Sequence, residues 1–377
     1  MKCFQNFGEI LSYDYSIKVK GYKGKMVTAA AYSNGTLLVK NHKGNTLYRR
    51  KIDINQENKH IQENNDKHIH LMFSYDGRKL IFDFLECTSY INTSDWIVAN
   101  EVQHNATENH VSIFSQNGKM FTTMINDKTY AFTDATNNTY LIKGEDMIQG
   151  DLVKSISMSK NNKHIAFCSQ SREGDVLSIL DVNKYKNYIE EKKIIDPIDE
   201  KIDELDREAI KTGSRTEYDS SFPIFDDLRQ FMLDVIKPYL ILSWSCSRID
   251  IPDGYEAYEY DCCYKDNKVL IATNIRNDLH TKVIVKTWCY NNKRININYE
   301  TTINSIDLPK PKFSQDGEYL LILNDYNVTI YDTKKWNSKT ISLDKEQIRD
   351  YFISSSNDNL VIIHKGHNDV KLYPIRS

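Results

Sequence analysis

Short apolar segments, separated by a turn of one recurring kind, account for most of the chain. Each copy has an apolar strand, Ser-x-Asp/Asn-Gly/Asn or a close variant, a second apolar strand, a polar turn and a third strand. The seven copies are AYSNGTLLV at 31–39, FSYDGRKLIF at 73–82, FSQNGKMFTT at 114–123, MSKNNKHIAF at 158–167, CYKDNKVLIA at 263–272, FSQDGEYLLI at 313–322 and SSSNDNLVII at 354–363. Because Asn or Asp with Gly accepts the positive φ of a tight hairpin, each copy predicts a β-hairpin.

The spacing of these turns predicts the architecture. They follow one another at intervals of 42, 41, 44, 105, 50 and 42 residues, and the turn residues are Gly35, Gly77, Gly118, Asn162, Asn267, Gly317 and Asn359. Four of these intervals are close to the length of a propeller blade, about 40–45 residues. At an offset of 14 residues from the turn, the third strand ends on Ile91, Phe132, Tyr331 or Tyr373. The sequence therefore predicts an all-β fold, a seven-bladed β-propeller formed as a single domain over residues 1–377.

The seven copies resemble the WD40-repeat family of β-propellers. The motif residues are the Ser-x-Asp-Gly turns and an aromatic-Asp pair, best preserved as Tyr331–Asp332. The resemblance covers most of the chain outside residues 184–238. No Gly-His dipeptide opens the copies and no Trp-Asp dipeptide occurs, so the chain resembles a divergent, WD40-like propeller. An eight-bladed or non-WD propeller is the alternative.

The two ends of the sequence predict how the ring closes. The last copy offers three strands, of which the third lies at 370–373. Residues 13–19 alternate suitably for a strand and precede the first copy. By resemblance to circular propellers, we expect residues 13–19 to pair with 370–373 as the missing outer strand, which would give seven four-stranded blades.

The 105-residue interval predicts a helical insertion, because it exceeds a normal repeat by about 60 residues. Asp196–Pro197 is typical of a helix start, and four apolar residues then share one helical face: Ile198, Ile202, Leu205 and Ala209. A second helix is predicted from about 223 to 237. We therefore expect an α-helical insertion over residues 184–238, between blades 4 and 5.

These predicted helices carry the candidate protein-binding site. Either their apolar stripes pack on each other and on a blade, with the acidic face of the first helix solvated, or the hairpin presents a stripe or that face to a partner. Phe231 points about 100° away from Met232 on a helix, so the second helix has more apolar residues than one packing stripe requires. The predicted protein-binding residues are Phe225, Leu228, Phe231 and Met232.

Charge and composition narrow the classes of partner. The chain has 49 Lys+Arg against 52 Asp+Glu, a formal charge of -3, which favours neither nucleic acid nor an anionic membrane. Lysines near Tyr22 form a short basic stretch that we interpret as solubilising surface. No apolar run approaches the 18 residues or so of a membrane span, and the first residues do not resemble a signal peptide. Seven cysteines, two of them adjacent at 262–263, favour a reduced, cytoplasmic protein.

Catalytic strings are missing from the sequence. It contains no P-loop, dinucleotide fingerprint, nucleophile elbow or zincin motif, and we expect no cofactor, metal site or small-molecule substrate. Propeller active sites can combine separate blades, however, and the candidates for hidden channel chemistry are His68, His70 and His110. The favoured hypothesis is a non-enzymatic scaffold or adaptor that binds one or more proteins. The alternative is an enzyme with its active site at the channel mouth.

Overall fold

Antiparallel sheets arranged as a ring form the fold in the computed structural model. The residues that the structure describes are 9–51, 69–84, 87–103, 112–115, 119–126, 129–134, 138–143, 152–171, 174–193, 204, 207, 234, 237, 238, 240, 243–265, 268–277, 281–289, 294–303, 310–324, 327–343, 348–354, 358–364 and 370–375. Within these ranges there are six four-stranded sheets and one three-stranded sheet.

Each sheet is one blade, and its strands follow the order of the chain from the channel outwards. Blade 1 has β1 (Ile10–Ser16), β2 (Val27–Tyr32), β3 (Thr36–Lys40) and β4 (Thr46–Lys51). Blade 2 has β5 (Ile69–Phe73), β6 (Lys79–Phe84), β7 (Cys87–Asn92) and β8 (Val98–Gln103). Blade 3 has β9 (Ser112–Phe114), β10 (Phe121–Asn126), β11 (Thr129–Thr133) and β12 (Thr139–Lys143). Blade 4 has β13 (Leu152–Met158), β14 (His164–Ser171), β15 (Gly174–Asp181) and β16 (Trp244–Arg248).

The remaining three blades have the same order. Blade 5 has β17 (Glu256–Lys265), β18 (Lys268–Arg276), β19 (Thr281–Cys289) and β20 (Arg294–Ile303). Blade 6 has β21 (Lys310–Phe313), β22 (Tyr319–Asn324), β23 (Asn327–Asp332) and β24 (Ser338–Ser342). Blade 7 has β25 (Ile348–Ile353), β26 (Asn359–His364) and β27 (Val370–Pro374). The prediction of a seven-bladed propeller is confirmed, but the seventh blade has three strands among the described residues.

The Ser-x-Asp-Gly turn is held by its own side chains. In blade 2, the Ser74 hydroxyl donates to Asp76 at 2.7 Å and accepts the N–H of Lys79 at 3.0 Å. Gly77 has a φ of 71° and donates its N–H to the carbonyl of Ser74. The hydroxyl of Thr93, which follows the third strand, donates to the carbonyl of Gly77 at 2.7 Å. These bonds within one blade explain why the motif specifies a hairpin wherever it occurs.

The first copy of the motif lies in a different place from the others. Gly35 joins the second and third strands of blade 1, whereas Gly77 and Gly317 join the first and second strands of their blades. The predicted closing strand at 13–19 is therefore wrong, because residues 10–16 form β1, the inner strand of blade 1, and pair with β2. The interval of 42 residues between Gly35 and Gly77 resembles a blade length although the two turns are not equivalent.

The core consists of seven apolar clusters, each between two neighbouring blades. The cluster between blades 7 and 1 includes Tyr13, Tyr15, Val361 and Ile363, all at most 1% exposed. The Tyr15 hydroxyl also donates to Asp358 at the turn of blade 7. In the described residues the ring is thus closed by packing of blade 1 against blade 7.

The helical insertion lies inside a blade. Residues 182–193 form a helix, α1, which directly follows β15, and the chain returns to the same sheet as β16. The predicted position between blades 4 and 5 is wrong, because the segment joins the third and fourth strands of blade 4. Further along, Glu204, Arg207, Asp234 and Lys237 are helical and exposed. No helix of the described residues has the length and apolar character to cross a membrane.

Candidate functional site

The central channel is a candidate site for chemistry. Its cavity has a volume of about 250 Å³ and includes residues from all seven inner strands. One polar or charged residue from each blade, taken in order, is Ser12, His70, Ser112, Lys154, Asp261, Lys312 and Asp350. The wall therefore carries both charges and an imidazole.

Two of the channel carboxylates hold neighbouring blades together. Asp14, 1% exposed, accepts the N–H of Tyr15 and, with its other oxygen, the N–H of Phe73 in blade 2, both at 2.7 Å. Asp261 repeats this geometry between blades 5 and 6, because it accepts the N–H of Cys262 at 2.9 Å and that of Phe313 at 2.6 Å. Each carboxylate satisfies backbone groups that the inner edge of a sheet would leave without a partner.

Hydroxyl groups also bond neighbouring blades. Ser12 accepts the N–H of Leu71 at 3.0 Å, and Ser157 accepts the N–H of Tyr264 at 2.9 Å. Between blades 2 and 3, the Ser112 hydroxyl donates to the buried Asp83 carboxylate at 2.9 Å. The polar ring around the channel thus stabilises the disc, which the spacing of the sequence motifs does not reveal.

Charges in the channel are partly balanced. Lys312 pairs with Asp350 at 3.0 Å across blades 6 and 7. Desolvation raises the pKa of the Asp261 carboxyl above its ordinary value, although hydrogen bonds to Phe313 and Ser155 oppose the shift. Burial therefore disfavours the carboxylate form by more than its hydrogen bonds compensate.

The structure describes one of the three histidines that the channel hypothesis names. His70 lies in the channel wall, as its position on an inner strand predicts. His68 and His110 lie outside the described residues. Among the residues that are described, no three His, Cys, Asp or Glu side chains form a group that could hold a metal ion.

Helix α1 is fixed to the rim of blade 3. Its start is capped by Asp181, whose carboxylate accepts the N–H groups of Asn183 and Lys184 at 3.1 and 3.2 Å. Tyr185 is fully buried, and its hydroxyl donates to the carbonyl of Leu141 in β12 at 2.9 Å. Tyr188 is 3% exposed in the same cluster. The helix therefore covers the edge of blade 3 as a rigid part of the core.

Sequence reasoning missed this helix, although a signal was present. Asp181 is a typical cap residue, and Tyr185, Tyr188 and Ile189 follow at spacings of three and four. The predicted binding residues lie outside the described residues and stay a prediction: Phe225, Leu228, Phe231 and Met232.

Solved structures are similar to this chain in fold. No family model matches the sequence, and no curated protein matches it. Among solved structures, the β-propeller domain of Cps50 (Swd1) from Myceliophteria thermophila has a TM-score of 0.59 and 9% identity, over 99% of each chain. The hydrazine synthase of Kuenenia stuttgartiensis has a TM-score of 0.56 and 8% identity, over 99% of this chain and 97% of that one. The chain thus shares the β-propeller fold of the Swd1 domain, and the fold that its motifs predict is confirmed.

Proposed function

We propose that this protein is a non-enzymatic interaction scaffold that binds proteins through its propeller faces and its helical insertion. The observation that carries the proposal is the attachment of α1, because a buried Tyr185 and a capped start fix the base of the insertion to the rim. An accessory anchored in this way has a defined position relative to the disc. Fold alone does not assign function, and this anchored accessory is the feature that favours a scaffold.

The chemistry of the channel supports the same proposal. Asp14 and Asp261 use their oxygens to bind backbone amides of adjacent blades, which is a structural task. The likeness to the Swd1 propeller domain agrees with a role in binding proteins. With a formal charge of -3, protein partners are favoured over nucleic acid. The odd number of cysteines, two of them adjacent, supports a reduced, cytoplasmic location.

We propose that the part of the 184–238 insertion that follows α1 is dispensable for folding of the ring. Because α1 is kept and β16 pairs with β15, the linker has to join only the end of α1 to the segment that leads into β16. We expect replacement of residues 194–237 by a Gly/Ser linker to retain the β circular-dichroism signal and to lose partner capture. Complete unfolding of this variant would contradict the proposal that the segment is an accessory.

Phe231→Ala tests the proposed contact directly. Loss of an aromatic anchor in an interface costs about 2 kcal/mol or more, roughly 30-fold in affinity. Affinity capture from native extract, quantified by mass spectrometry, should lose a specific partner with this variant while the melting temperature stays the same. Ile97→Ala is the control, because Ile97 is a 60% exposed apolar residue on blade 2. Destabilisation of Phe231→Ala by several kcal/mol would instead assign Phe231 to the core.

A further inference from the structure

A groove beside α1 is larger than the channel cavity. It has a volume of about 750 Å³ and lies between β8 of blade 2, β12 of blade 3 and the second half of α1. The Asn100 side chain joins its two strand walls by donating to the Thr139 hydroxyl at 3.0 Å. The walls are thus regular elements held in a fixed relation to each other.

The groove has an apolar floor that is open to solvent. Leu141 is 46% exposed, although its backbone carbonyl accepts the Tyr185 hydroxyl and fixes its place beneath the helix. Half-buried Tyr140 of β12 and Ile189 of α1 also line the groove. The exposed Leu141 side chain is an apolar surface that a bound side chain could cover.

The rim of the groove is basic. Three lysines and one glutamate line it, in a chain whose formal charge is -3: Lys143, Lys192, Lys193 and Glu190. Glu190 pairs with Lys193 at 2.8 Å, and the Lys192 ammonium lies 5.8 Å from the Tyr188 ring centroid. The local charge is therefore opposite in sign to that of the whole protein, which favours an acidic occupant.

We infer that this groove binds an extended segment of a partner protein that carries acidic side chains next to an apolar one. The apolar side chain covers Leu141, and the acidic side chains lie against Lys192 and Lys193. This inference rests on the proposed scaffold function and names the class of partner for one surface of it.

A random dodecapeptide library displayed on phage tests the inference with the full-length protein as bait. We expect the selected peptides to be enriched in Asp or Glu next to Leu, Ile or Phe. The strongest, synthesised with a fluorescein label, should bind about tenfold or more weakly to the double variant Lys192→Glu/Lys193→Glu. Binding should also weaken as salt is raised, because exposed charges are screened.

The matched control is Lys23→Glu/Lys25→Glu, which reverses two exposed lysines on the loop between β1 and β2. It should bind the peptide like the wild type, and both variants should keep the wild-type melting temperature. A second variant, Leu141→Ser, should weaken binding at all salt concentrations, since it removes the apolar contact. Selected peptides without acidic residues, or equal binding to both double variants, would overturn the inference.

Failure of this inference is distinguishable from failure of the scaffold function. A partner captured from extract that binds the Lys192→Glu/Lys193→Glu protein unchanged, yet is lost with Phe231→Ala, leaves the scaffold function standing and removes the groove as its site. If every captured protein binds all variants alike, both proposals fall.

Discussion

Replacement of Asp261 by Asn tests whether the channel carboxylates hold the ring together. One Asp261 oxygen accepts the Ser155 hydroxyl at 2.8 Å and the Cys262 N–H, and the other accepts the N–H of Phe313 in the next blade. Asn has nearly the same shape but only one acceptor oxygen. In either orientation of the amide, its NH2 group faces a backbone N–H, so at least one donor loses its partner.

The size of the effect follows from these bonds. A buried donor without a partner costs about 1–3 kcal/mol, and hydrogen bonds to charged groups contribute about 1.5–3 kcal/mol. Removal of a desolvated charge offsets part of this loss, so we expect a destabilisation of about 2 kcal/mol. For a cooperative unit of this length, an unfolding entropy of about 2.1 cal/mol/K per residue converts this into a melting shift of about 2–3 °C. Denaturant titration measures the free energy of unfolding directly.

The pH dependence gives a second readout for Asp261→Asn. The folded-state pKa of Asp261 is raised above the unfolded value by desolvation. The contribution of this group to the free energy of unfolding is therefore fully present below the unfolded-state pKa. It is lost as pH rises through the folded-state pKa. Asn does not titrate, so the gap in stability between wild type and variant should be larger near the ordinary Asp pKa, about 3.9, than at neutral pH.

Asp253→Asn is the matched control for this experiment, because Asp253 is exposed on the loop that connects blade 4 to blade 5. It should leave the free energy of unfolding within about 0.5 kcal/mol of wild type. Equal stability of the two variants would refute the assignment of Asp261 as an inter-blade bond, and a gap that widens towards neutral pH would refute the raised pKa of its carboxyl.

Two further substitutions and one thiol-labelling experiment test the turns, the helix and the cysteines. Gly77→Ala should destabilise the fold by about 2 kcal/mol more than Gly24→Ala, as measured by denaturant titration. Both glycines have positive φ, 71° and 74°, but only at Gly77 would an added Cβ meet a backbone atom, at 2.7 Å. Equal losses would show that the close approach is unimportant. Tyr185→Phe should cost about 1 kcal/mol through its bond to Leu141, and an unchanged unfolding midpoint would contradict that. The Cys263 thiol, whose pKa burial raises, should react with Ellman's reagent only on unfolding; rapid reaction in the native state would contradict its burial.

The sequence alone determined the blade as a unit and the number of blades. The Ser-x-Asp-Gly turn could be recognised because its bonds are local: the Ser74 hydroxyl reaches Asp76 two residues away and Lys79 five residues away. Such contacts form in any context that permits a hairpin, so the motif and its spacing predict the propeller. The candidate site was harder to predict from the sequence. Of the three histidines proposed for the channel, only His70 lies in the described residues, and the sequence analysis did not predict the anchoring of α1.

Only the tertiary structure decided how the blades are connected. An inner and an outer strand have the same two-residue alternation, so the turn at Gly35 could not reveal that it follows the second strand of its blade, and β1 was assigned to the wrong edge. The predicted position of the insertion was likewise outside blade 4. The paired strands β15 and β16 are separated along the chain by the whole insertion, so their pairing is not visible in the sequence. The bond from Asp14 to Phe73 joins residues 59 apart, and that from Asp261 to Phe313 joins residues 52 apart. Contacts at such separations exist only when whole blades have packed, and no local pattern of residues encodes them.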